Sequence, residues 1–222
     1  MDQNVILVET VPLEFDLESL GCRLRIRPGQ TKFMDRLSRL AEEAVRVARP
    51  KAVARLCGLT ILDEEKVQVG EVTFSSPLLR QKMDGLGRAF PYLASEGTEL
   101  ADWSLSLSSS LEQVFASALR EVAVQQAENL LERTLLERYG IAQVSAMNPG
   151  SLKVWSLEEQ VPLFELLAPL PEKLGVPLLP SLMMRPEYSV SGVFFQTDSK
   201  FYNCQLCPKK ECPNRRTPSL VT

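Results

Sequence analysis

The sequence predicts an α+β fold, a twisted and mainly antiparallel sheet with helices packed against it. Three observations predict it. A long periodic stretch from about Leu111 to Arg138 has one dominant apolar face and is otherwise filled with strong helix formers. Short runs rich in Val, Ile, Phe and Tyr recur near the start, the middle and the end of the chain. Between Ala168 and Glu187 stand five of the fifteen prolines, so that segment wraps a surface instead of building long regular structure.

Taken in order, residues 4–8 read as a buried strand, and Leu13 to Leu17 as a short extension. From Thr31, Phe33, Leu37, Leu40, Ala44 and Ala48 recur at spacings of three and four opposite Asp35, Arg36, Glu42 and Glu43, the signature of an amphipathic helix. Pro50 interrupts it, and a second short helical piece is expected to reach Cys57. Val67, Val69, Val72 and Phe74 suggest a strand with a bulge or turn at Gly70; residues 78–88 read as helix or loop, and Phe90 to Ala94 as another strand. Gly140 sits where the long helix needs a left-handed C-terminal cap. Ser156 and Glu159 form a capping-box pattern opening a short helix toward Leu167, with Pro162 forcing a tight first turn or an early kink. Tyr188 to Phe195 and Lys200 to Tyr202 read as two strands joined by a turn at 196–199.

At 222 residues, with 45% hydrophobic and 24% charged, the chain has ordinary globular composition and length for a sizeable core. A net charge of −3 gives no general attraction to nucleic acid. No apolar run approaches the roughly 20 residues that span a bilayer, and the Met1-Asp2-Gln3-Asn4 start does not read as a secretory signal. Five cysteines, an odd number, fit a reducing compartment, so a cytoplasmic location is expected. Histidine is absent, which excludes an imidazole base, a Ser-His-Asp triad and a His-ligated zinc.

The sharpest local signal is Cys204-Gln-Leu-Cys207-Pro-Lys-Lys-Glu-Cys212-Pro-Asn-Arg-Arg216. A C-x2-C step brings two thiolates onto one turn, and a four-residue spacer lets a third fold back at little loop-closure cost. Lys209, Lys210, Arg215 and Arg216 would favour thiolates and offset the charge of a thiolate-ligated centre. The expected occupant is an iron–sulfur cluster, with zinc as the alternative. Three cysteines leave one position open, for Cys57, Cys22, a small molecule or a partner protein.

Two segments carry a family resemblance. Tyr188-Ser189-Val190-Ser191-Gly192-Val193-Phe194-Phe195, followed by Thr197-Asp198-Ser199-Lys200-Phe201-Tyr202, resembles the late part of the activation (reactivation) domain of cobalamin-dependent methionine synthase. Asn148-Pro149-Gly150-Ser151 stands where that family carries a P-G-Y loop, and the stretches 127–133, 155–160 and 164–167 continue the likeness. The resemblance covers most of residues 90–203, which divides the chain into an activation-domain-like unit, 1–203, and a cysteine-rich tail, 204–222.

It implies a stand-alone accessory of methyl transfer and methionine biosynthesis, supporting reductive reactivation of a corrinoid protein or methionine synthase. Its partner would be a cobalamin-binding methyltransferase, and its ligand residues Asn148, Pro149, Gly150, Ser151, Tyr188, Ser189, Val190, Ser191, Gly192 and Tyr202. The family ligand is S-adenosylmethionine. Ala146 and Ser151, however, stand where the family places an arginine and a tyrosine, and losing a charge-assisted partner weighs against that ligand. The metal ligands read from the sequence are Cys204, Cys207, Cys212 and Cys57. A zinc-stabilised binding module without catalysis, and a cobalamin methyltransferase using S-adenosylmethionine, are the competing functions.

Overall fold

A computed structural model describes residues 3–209, 211–212 and 215–220; of the positions singled out above, Met1, Asp2, Lys210, Pro213 and Asn214 lie outside them. The chain runs β1 (Val5–Val8), α1 (Leu17–Arg23), α2 (Thr31–Val47), β2 (Lys51–Arg55), β3 (Cys57–Ile61), β4 (Lys66–Val69), β5 (Val72–Ser75) and α3 (Pro77–Lys82). It continues through β6 (Arg88–Ser95), α4 (Thr98–Ser106), α5 (Ser110–Tyr139), β7 (Val144–Met147), α6 (Gln160–Leu167), α7 (Leu170–Leu174) and β8 (Ser189–Gln196).

All pairings are antiparallel, and β6 is the axis of the sheet. Along one edge it pairs first with β2 (Ala54↔Tyr92) and then, in unbroken register, with β3 (Cys57↔Ala89). Along the other it pairs with β8 (Tyr92↔Gly192), which carries β7 on its outer edge (Met147↔Val193). β1 lies outside β2, and the β4–β5 hairpin extends the sheet beyond β3.

Alternation assigns side chains to two cores. Val53, Leu93, Val193 and Phe195 face α6, α7 and the β4–β5 hairpin; Ala52, Ala54, Tyr92, Ala94 and Phe194 face the second half of α5 through Val124, Ala127, Leu131 and Leu135. The first half of α5 packs Phe115, Ala118 and Leu119 on α2 and α4, making a third cluster with Leu37, Leu40, Ala44 and Leu100. The small Ala52, Ala54 and Ala94 let this long helix lie close to the strands, and Gly140 ends it in the left-handed conformation, φ +62°.

Several expectations are corrected. The residues after Pro50 form β2 and β3 instead of a helix: Ala52, Val53 and Ala54 are covered on both faces, and that burial outweighs the helix propensity of alanine. Lys200 to Tyr202 add no strand, because β8 already has β6 on one edge and β7 on the other; Phe201 N–H instead donates to Ser145 Oγ at 2.7 Å. The capping box does not close: Ser156 donates to Glu158 at 2.7 Å, and Glu159 accepts from Ser75 N–H at 3.1 Å. A single 3-10 turn over Leu157–Glu159 leads into α6, in whose first turn Pro162 stands, where the helix has no N–H bond for it to break. The short α4 has no counterpart in the sequence reading.

Candidate functional site

Asn148 follows β7 directly, where its side chain reaches over the outer strands of the sheet. Its Nδ2 donates to Tyr92 Oη and to Ser191 O, both at 2.8 Å, and its Oδ1 accepts from Asn203 Nδ2 at 3.0 Å. Tyr92 is fully buried on β6, stacked on Phe194 at 3.9 Å between ring centroids, and donates to Glu128 Oε1 at 2.7 Å. Burial, then the nearby Glu128 carboxylate, pushes the Tyr92 phenol well above its ordinary range, so it remains a neutral donor. Gln160, the first residue of α6, donates to Ser191 Oγ at 3.1 Å. A continuous polar chain thus runs from α6 across β8 to β6 and α5.

Gly192 is what lets this chain assemble. A Cβ there would stand 2.4 Å from Met147 O, 2.5 Å from Asn148 Nδ2 and 2.9 Å from the Tyr92 ring. The predicted strand with a small-residue turn is therefore a close approach of three strands.

Two clefts open on either side of Asn148 and Val190. One, of about 320 Å³, is lined by Asn148, Pro149, Ser151, Ser189, Val190 and Ser191 together with Leu157, Gln160, Leu182, Met183, Met184 and Glu187. The other, of about 210 Å³, is lined by Asn148, Val190 and Tyr202 with Ala146, Glu128, Glu132, Lys200, Asn203, Cys204 and Arg216. Seven of the ten residues assigned as ligand-binding from sequence thus converge on one region. The other three stand behind it. Gly150, at φ +77°, packs on Leu157; Gly192 is buried; Tyr188 stacks on the Arg120 guanidinium at 4.5 Å.

Arg120 is itself held by Glu96 through two hydrogen bonds of 2.6 Å, and Glu96 also accepts from Tyr188 N–H at 3.3 Å. Burial pushes the Glu96 carboxyl above its usual value, with Arg120 opposing in part. This pair fixes the start of β8 against α5.

Ala146 lines the smaller cleft without charge. The cations there are Lys200, paired with Glu132 at 2.5 Å, and Arg216, 3.8 Å from Glu128. A carboxylate-bearing ligand would have to compete with those glutamates.

Cys57 is buried in β3 beside Gly70, and Cys22 is exposed on α1. Cys204, Cys207 and Cys212 are half-buried free thiols. Arg215, expected beside the thiols, instead donates to the carbonyls of Cys204 at 2.7 Å, Cys207 at 3.2 Å, Thr217 at 3.1 Å, and Lys209. Among the described residues no group of three or more Cys, Asp, Glu or His side chains is placed to hold a metal.

Tyr92, Glu128, Gln160 and Asn203 were not singled out as site residues by the sequence reading. The one available signal was the tyrosine within an otherwise apolar strand, since a buried phenol requires a partner.

No protein-family model matches the sequence, and no curated protein does. Among solved structures the chain is similar to the MetH reactivation domain bound to AdoHcy, with a TM-score of 0.61 and 17% identity, over 89% of this chain and 80% of that one. The two share a fold, and the α+β class and the activation-domain likeness expected from sequence are borne out. No helix among the described residues is long and apolar enough to cross a membrane.

Proposed function

We propose that this protein is an accessory of cobalamin-dependent methyl transfer, docking on a cobalamin-carrying protein and supporting its reductive reactivation. One observation carries the reading. In a chain with the reactivation-domain fold, the segments that resemble the family converge on two adjoining clefts around Asn148 and Val190. The polar chain from Gln160 to Glu128 braces the floor, so the strands meet a ligand or partner with little reorganisation.

The family ligand, S-adenosylmethionine, would occupy this region through neutral contacts from Asn148, Tyr202 and Asn203, and its carboxylate through Lys200 or Arg216 once released from the glutamates. Such a ligand supplies a methyl group; the residues here bind and orient it. The competing reading, a binding module without catalysis, is favoured by the same glutamate pairing, which among the described residues leaves the cleft without a free cation for that carboxylate.

An iron–sulfur or zinc centre at Cys204, Cys207 and Cys212 belongs to the proposal as a separate part. Among the described residues no three Cys, Asp, Glu or His side chains are placed to hold a metal, and the carbonyls of Cys204 and Cys207 are gathered on Arg215. No step is therefore assigned to such a centre.

The test mixes oxygen-free purified protein with a cobalamin carrier domain held as cob(II)alamin, a one-electron donor and S-adenosylmethionine. Binding of the carrier and faster return of methylcobalamin absorbance support the proposal. No binding of the carrier refutes it, and binding without turnover selects the non-catalytic module. Iron, sulfide and zinc analysis on the same material decides the metal.

A further inference from the structure

A third cleft, of about 380 Å³, opens between α4, the turn after α7 and the segment leading into β8. It shares Glu187 alone with the clefts around Asn148. Arg120 lines it, with 9% of its side chain exposed. Glu96 takes its Nε and Nη2, and the Tyr188 ring lies 4.5 Å from the guanidinium, so the group is fixed in place. Its Nη1 has no hydrogen-bond partner among the described residues and is not one of the solvent-excluded atoms. One donor edge of a rigid guanidinium is therefore left to the cleft.

Three more charged side chains line it: Arg185, Asp102 and Glu187, all exposed. None of them forms an ion pair or a side-chain hydrogen bond with another described residue. Most of the remaining lining is apolar, with Leu105, 77% exposed, beside Pro177 and Pro186. The volume lies at the small end of ligand cavities, roughly 300–1,000 Å³.

The mixture of signs narrows what fits. Glu96 already offsets Arg120, so a bare anion would meet Asp102 and Glu187 with Arg185 alone to balance them; a bare cation would meet two guanidinium groups. A compact molecule carrying both signs satisfies both halves.

We infer that this cleft binds a zwitterion, an α-amino acid with an unbranched apolar side chain. Its carboxylate accepts from Arg120 Nη1 and Arg185, its ammonium lies against Asp102 and Glu187, and its side chain covers Leu105 and the two prolines. Arg120 is held before the ligand arrives, which keeps the ordering cost of binding low. The site is independent of the reactivation role proposed above, since no residue from Asn148 to Ser151 takes part.

Calorimetry on the full chain compares L-norleucine with hexanoate, which lacks its ammonium, and pentylamine, which lacks its carboxylate. The expected result is saturable binding of norleucine, with each fragment at least about tenfold weaker. Arg185→Gln should weaken norleucine about tenfold and leave pentylamine no weaker. Asp102→Asn combined with Glu187→Gln should weaken norleucine by a similar factor and leave hexanoate no weaker. These changes fall on exposed side chains without described partners, so the variants keep the fold, as circular dichroism would confirm. Arg185 lines this cleft and neither of the other two, so its variant also locates the site. Norleucine that does not saturate, a fragment that binds as tightly, or a norleucine affinity unchanged in either variant overturns the assignment.

Discussion

Gly192→Ala tests the geometry on which the whole site depends. The new methyl would be placed 2.4 Å from Met147 O, a backbone atom in a strand paired residue by residue with β8, and so unable to retreat cheaply. It would also lie 2.5 Å from Asn148 Nδ2, which can swing away only by abandoning Tyr92 Oη and Ser191 O. Overpacking of this kind costs about 1–3 kcal/mol, and each neutral hydrogen bond lost adds about 1 kcal/mol. The sum is about 2–5 kcal/mol, which lowers the melting temperature of a domain this size by roughly 5–15 °C. The assay is urea unfolding followed by tryptophan fluorescence, supported by differential scanning calorimetry, on Gly192→Ala, Asn148→Ala and the double variant. Because Asn148 bears part of the clash, the double variant should cost about 1 kcal/mol less than the sum of the singles. A Gly192→Ala protein within about 0.5 kcal/mol of wild type would refute the close-approach argument, and strict additivity would refute the part assigned to Asn148.

Tyr92→Phe leaves Asn148 and Glu128 each short of one partner in a buried setting, so chemical denaturation should show a loss of about 1–3 kcal/mol; an unchanged midpoint would show that the phenol is dispensable. Glu96→Gln breaks a buried bidentate pair and should cost about 3 kcal/mol. Because the folded protein raises the Glu96 pKa, that carboxyl contributes most stability below its unfolded value and loses it as pH rises through its folded one. The wild-type advantage over Glu96→Gln should therefore shrink between those two pH values, and an advantage that grows with pH would reverse the assigned shift. Arg215→Ala releases the carbonyls of Cys204 and Cys207, so alkylation of those thiols by iodoacetamide should accelerate roughly threefold or more, read by mass spectrometry. Equal rates would mean that the guanidinium does not hold the loop.

How much could be read from the sequence varied with the range of the interactions involved. The long helix, its glycine stop and the 188–195 strand were legible because their signals are local and periodic. So was the loop at Asn148 to Ser151, whose neighbours in space proved to be the predicted strand residues. The segment after Pro50, up to Cys57, was misread because an alanine-rich strand between two packed layers, as β2 is, lacks the alternation of a half-exposed strand. Lys200 to Tyr202 looked like a strand by composition, but whether an edge is vacant depends on β7, some fifty residues upstream. The roles of Gln160 and Glu128 were invisible for the same reason: each sits on a helix with ordinary polar neighbours, and only the fold brings it to Ser191 or Tyr92. In the tail, spacing alone suggested sulfurs around an ion, while the residue that organises the loop is an arginine reaching main-chain oxygens.

The placement of β6 has a mechanical consequence. With β2 and β3 zipped end to end along one side and β8 along the other, none of its partners can detach without baring a strand whose side chains are covered above and below. Partial opening is therefore confined to the periphery, at the β4–β5 ribbon and β1, and amide exchange in Phe90, Tyr92, Leu93 and Ala94 should proceed only when the whole molecule comes apart. Anything that grips β8 in the clefts pulls on the stiffest member of the structure, so force or strain applied there is shared at once with the far side of the sheet.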